Sequence, residues 1–305
     1  MKLLVDPVVA LGMLAVVPAG LRLAGSAGPR GTGVLTVAAR WWPVAALPGA
    51  VSLWLPRGAT STALAAVYAL AALALAALAG ARLVRAGRGD AAGRADRAGG
   101  GARRPRPRLR LRPRLPAEEV ALLTALVSPS VAATALVAER AGRHLFGFDL
   151  DILALTVPHF HFAGFTAALV AGLVCRAAGA GPRARFAAYS VPAGTLLVLA
   201  GYFVDDWLEL AGALVLTAGM WTVSLLTWQD IRGRTADRLT RALLATSAVV
   251  LPATMLLALS WALGEATGLP HLSLTWTAAT HGLGNALGFA LCSVLAWHRL
   301  KETPA

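Results

Sequence analysis

Three histidines and one asparagine stand inside otherwise apolar stretches, and their side chains are the ones best suited to chemistry. His159 and His161 lie in TVPHFHFAGF (156–165), and His281 and Asn285 in TWTAATHGLGNALGF (275–289). Imidazoles in such surroundings can relay protons, ligate haem or a transition metal, or hold a polar or anionic substrate. Asn285 is the only asparagine in the chain. An unpaired amide among lipid-like side chains is costly, so a specific partner is expected for it. Thr277, His281 and Asn285 recur at four-residue spacing and share one helix face. His159 and His161 point about 200° apart on a regular helix, so they can reach a common neighbour only if the helix is distorted. Pro158 offers that distortion, because it removes a backbone donor and crowds the carbonyl of Ala154.

The elements that carry these residues are membrane spans. With 57% hydrophobic and 14% charged residues in a chain of 305, the composition is far more apolar than a soluble domain allows. Apolar stretches near the ~20 residues that cross a bilayer recur nine times, at about 5–24, 35–55, 62–84, 118–138, 152–175, 186–204, 208–228, 242–263 and 274–297. The expected fold is therefore all-α, a polytopic transmembrane helix bundle of about nine spans. The first stretch has some features of a signal sequence, but Asp6 and Arg22 argue against a clean secretory segment. Alternate loops hold 24 of the 28 basic residues, leaving only Lys2, Arg57, Arg140 and Arg143 on the other side. By the positive-inside rule the N-terminus lies outside and the C-terminus in the cytoplasm. Eight of the nine tryptophans fall near span ends, as an interfacial belt requires.

This topology brings the polar residues to one depth. The fifth and ninth spans enter from the same side, and His159, His161 and His281 lie seven to nine residues into them, on the order of 10–14 Å below the outer boundary. If the two spans are neighbours, His159, His161, Thr277, His281 and Asn285 form a substrate or proton site. No cysteine or carboxylate lies at that depth, so no cofactor is expected. Haem or a transition metal held by His159 or His161 with His281 is the alternative, although Phe160, Phe162 and Phe165 leave little room for a porphyrin. Asp205, Asp206 and Glu265 lie in outer turns, where they are either solvated or form a vestibule that attracts cations. Cys175 and Cys292 are expected on the reducing side as small buried hydrophobes. No Walker A, GxSxG, HExxH or CxxC motif occurs. ATP hydrolysis, serine hydrolysis and thiol redox chemistry thus lack support, and any transport is secondary or passive.

Residues 86–116, rich in Gly, Ala, Pro and Arg, divide the chain. They read as a disordered cytoplasmic linker between a three-span part (1–85) and a six-span part (117–305). The run RRPRPRLRLRPR within it serves as a topology anchor or attracts anionic lipid headgroups. Nucleic acid is not an expected partner, because neither aromatic interleaving nor a motif accompanies the arginines. Small residues at four-residue spacing, Gly284 with Gly288 and Ala163 with Ala167 and Ala171, suggest close helix contacts. No internal repeat indicates inverted halves.

The stretches VPHFHFAGF (157–165) and THGLGNALGFALC (280–292) resemble the YndJ-like family of bacterial integral membrane proteins. The resemblance covers roughly residues 117–300 and draws nothing from the first three spans or the arginine-rich segment. It implies a multi-pass protein of the bacterial inner membrane, of a family sometimes labelled transporters, with His159, His161, His281 and Asn285 as the motif residues here. The function expected is that of a secondary transporter or permease for an unknown small substrate. The alternative is a haem- or metal-binding membrane redox protein, and nothing in the sequence points to an enzyme.

Overall fold

A computed structural model describes residues 2–26, 32–99 and 115–302, and every regular element in it is helical. Among the described residues nine helices are long and apolar enough to cross a membrane, one for each stretch predicted. They are α1 (Leu3–Gly25), α2 (Gly33–Trp54), α3 (Ala59–Ala86), α4 (Ala117–Arg140), α5 (Leu150–Ala177), α6 (Pro182–Val204), α7 (Asp206–Arg234), α8 (Arg238–Thr267) and α9 (Leu274–Lys301). The helix of α3 continues past its apolar part to Gly99, so the start of the segment expected to be a linker is helical. Alanine and arginine are strong helix formers and extend a helix already nucleated in the span. The run RRPRPRLRLRPR (103–114), with the lipid contacts expected of it, lies outside the described residues.

Local chemistry sets the span ends. Asp205 caps α7 by accepting the Leu208 amide at 2.8 Å, and Asp237 caps α8 by accepting the Thr240 amide at 2.9 Å. Gly268, at φ 72°, ends α8 in the left-handed conformation that favours glycine. A single residue thus separates α6 from α7, which run back along each other. Their backbones nearly touch, since a Cβ on Gly194 would lie 2.5 Å from the Leu216 nitrogen and one on Gly212 2.4 Å from the Val198 nitrogen. Gly284 and Gly288 play a similar part in α9, where they admit Thr254 and Val250 of α8.

One continuous apolar core draws residues from all nine spans, and α5 is the most deeply enclosed of them. The three spans before the arginine-rich segment pack directly on the six after it. Gly12 of α1 lies against His161 of α5 and Gly20 against Phe165, while within the first three spans Gly49 of α2 lies against Tyr68 of α3. Several spans widen into π-helical segments, at Gly12–Val16 in α1, Phe160–Thr166 in α5, and Ala278–Gly282 and Gly284–Leu291 in α9. Such widening leaves carbonyls without their usual partners, and side chains serve them. Trp42 Nε1 donates to the Met13 carbonyl at 2.8 Å, and the Thr166 hydroxyl donates to the His161 carbonyl at 2.9 Å.

Candidate functional site

The π segment of α5 begins two residues after Pro158, where the ring deprives the helix of a donor. It does not turn the two histidines toward one neighbour. His161 points to the N-terminal spans and is fully buried. Its Nδ1 lies 2.7 Å from the Val157 carbonyl, which can only accept, so Nδ1 carries the proton. Nε2 is left as an acceptor, and the Tyr68 hydroxyl of α3 donates to it at 2.5 Å. Trp42 packs edge-on against Tyr68, with ring centroids 5.6 Å apart. Both imidazole nitrogens and the phenol are therefore satisfied in a closed seam between the two parts of the chain.

His159 faces the opposite way, into a cavity of about 550 Å³ walled by α1 and α4–α9 and by the α4–α5 loop. Among the described residues it forms no hydrogen bond. His281 lines the same cavity. His281 Nδ1 donates to the Thr254 carbonyl at 2.7 Å, and Asn285 Nδ2 donates to its Nε2 at 3.2 Å. The Thr254 hydroxyl donates to Asn285 Oδ1 at 2.8 Å and closes a three-residue ring between α8 and α9. The partner expected for Asn285 is thus Thr254 together with His281. Thr277, one turn before His281, also lines the cavity, and its buried hydroxyl has no partner among the described residues.

The predicted residues therefore divide. His159, Thr277, His281 and Asn285 share one cavity, while His161 belongs to the seam behind it. The acids expected at a vestibule do not line the cavity. Asp205 is a helix cap, Asp206 is exposed, and Glu265 pairs with His271 at 2.9 Å. Glu209, one turn into α7, lines it instead. Among the described residues no three His, Cys, Asp or Glu side chains converge as a metal site would require. His281 also has both ring nitrogens engaged, so ligating haem or a metal would mean breaking the ring it forms with Thr254 and Asn285.

Two polar clusters were not among the candidates. At the end that the charge bias places outside, here called the outer end, Glu139 and Arg140 of α4 are almost fully buried. Glu139 pairs with Arg57 at 2.8 Å and with Arg140. The Arg140 guanidinium also donates to the carbonyls of Ser52, Leu53 and Leu55 at 3.2–3.3 Å. These carbonyls end α2, where cationic donors are favoured. At the inner end Arg299 of α9 pairs with Asp237 at 3.0 Å and reaches the Thr240 hydroxyl at 3.1 Å. Hydrogen bonds from Thr240, with Arg299 beside them, hold the Asp237 carboxyl well below the usual carboxylate range. His298 donates to the Ala19 carbonyl at 3.0 Å, and Lys301 donates to the Leu23 carbonyl at 2.9 Å and to the Ser26 hydroxyl. The inner ends of α1, α8 and α9 are thereby tied by polar contacts.

Among the described residues nine apolar spans around one core define a multi-pass helical membrane protein. The YndJ-like protein family model matches residues 7–95 and 98–289, and the chain belongs to that family. The match takes in the N-terminal spans, beyond the stretch on which the sequence resemblance rested. Neither a curated protein nor a solved structure matches the chain.

Proposed function

We propose that this protein is a secondary transporter or permease of the bacterial inner membrane, with its substrate or proton site in the outer-half cavity at His159, Thr277, His281 and Asn285. The observation that carries the reading is the cavity itself. Among the described residues it is lined by an imidazole without a hydrogen-bond partner and a buried, unpaired hydroxyl, while polar contacts tie the spans at the inner end. Polar groups at membrane depth are costly when unsatisfied, and their retention beside a cavity marks a place where a ligand or water completes them. His281 and Asn285 act here as a fixed frame, and His159 is the group free to bind or carry a proton.

The test is a single-cysteine probe in the cavity wall, Ala278→Cys, in a chain whose Cys175 and Cys292 are replaced by alanine. In right-side-out vesicles a membrane-impermeant maleimide should label it from the outer face, at a rate that changes when a proton gradient is imposed. Labelling from neither face, or a rate indifferent to the gradient, would remove the cavity from any transport path. An absorption spectrum and metal analysis of the purified protein separate this reading from the redox alternative. A Soret band or stoichiometric metal lost in His159→Ala would favour the latter.

A further inference from the structure

Taking the cavity as the substrate site proposed above, we infer that its ligand is an apolar molecule carrying a single positive charge, held by the Glu209 carboxylate and an aromatic rim, and that anionic amphiphiles are rejected. The volume, about 550 Å³, lies in the range that encloses a drug-sized molecule. The walls are mainly aliphatic and aromatic side chains, which fixes an apolar body for the ligand. Charge decides the head. Among the described residues no lysine or arginine lines the cavity, so a carboxylate or phosphate entering it would leave water without a counterion. Glu209 is the one acidic side chain in the lining, and among the described residues it has neither an ion pair nor a hydrogen bond.

The rim beside Glu209 is aromatic. Phe203 packs edge-on against Phe146 and Phe148, each with ring centroids 5.4 Å apart, and Phe148 packs the same way on Tyr202. All four line the cavity. Phe146 reaches its place from a backbone with φ 56°, a conformation a bulky residue rarely adopts. Aromatic rings next to a carboxylate are how proteins receive weakly hydrated organic cations, because the ring quadrupole and the carboxylate attract the same charge. Deeper in, His159 and the Thr277 hydroxyl can meet one polar atom of the ligand.

The experiment is equilibrium dialysis of the full chain in nanodiscs of zwitterionic lipid against tetraphenylphosphonium, dodecanol and dodecanoate, with empty nanodiscs as the blank. The phosphonium should bind saturably, about one per chain, and at least about tenfold more weakly to Glu209→Gln, as expected for loss of a partly desolvated charge partner. Asp151→Asn, at an exposed acid outside the cavity, should bind it like the wild type, and dodecanoate should not compete. Dodecanol should bind wild type and Glu209→Gln alike. Dodecanoate binding as tightly as the phosphonium, unchanged phosphonium binding in Glu209→Gln, or uptake no greater than in empty nanodiscs would each overturn the inference. If that happens while Ala278→Cys still labels from outside under control of the gradient, the ligand class is wrong and the site stands. If the labelling also fails, the site itself is rejected.

Discussion

The seam between α3 and α5 and the wall between α5 and α9 each contain an intramembrane histidine, and the two histidines are only two residues apart. In the seam, His161 spends Nδ1 on Val157 and Nε2 on Tyr68, and nothing is left for a ligand. In the wall, His159 has no hydrogen bond among the described residues and faces empty volume. The same residue type in the same span thus joins two parts of the chain on one side and stands available on the other. A buried histidine signals a function only after its two nitrogens have been accounted for.

The comparison can be broken at its strongest point first. His161→Ala should cost about 3 kcal/mol, combining the lost packing with a phenol left unpaired, read as a fall in thermal stability in detergent. Tyr68→Phe removes the hydroxyl and leaves His161 Nε2 unpaired, and should cost about 1–2 kcal/mol by the same assay. Combining the two should cost clearly less than their sum, because they share one hydrogen bond. Asn285→Ala should lie near 1 kcal/mol, since it strips His281 Nε2 and the Thr254 hydroxyl at a part-buried site. His159→Ala should shift stability by less than about 0.5 kcal/mol, while abolishing the gradient dependence of Ala278→Cys labelling. A His159→Ala protein as unstable as His161→Ala would make both histidines structural. Smallest is an acid effect at the inner end. The Asp237 carboxyl titrates lower in the folded protein than in the unfolded chain, so its contribution is present above the ordinary carboxylate range and fades as pH falls through and below it. Asp237→Asn should flatten that part of the pH–stability curve.

Much of the frame could be read without coordinates, because span length and hydropathy follow from bilayer thickness and not from packing. The common depth of His159 and His281 was legible for the same reason, as was the need of Asn285 for a partner. Its partner was not, because a threonine such as Thr254 in an apolar helix looks like any other. The division between His159 and His161 followed from helix geometry, but which of them would meet Tyr68 depends on α3 packing behind α5. Arg57, Glu139 and Arg140 read as ordinary span-end charges, and only the approach of α2 to α4 buries Glu139 and Arg140. Asp205, Asp206 and Glu265 stood out because they lie at outer span ends, whereas Glu209, one helical turn into α7, is the acid that lines the cavity.

The contacts of His298 with Ala19 and of Lys301 with Leu23 make the ninth span a neighbour of the first. During synthesis these partners are separated by the making of seven intervening spans, so α1 must wait in the membrane with that flank open until α9 arrives. The closure of the bundle is therefore among the last events of its biogenesis. A ribosome stalled before α9 would hold an inserted chain whose cavity still lacks the wall bearing Thr277, His281 and Asn285.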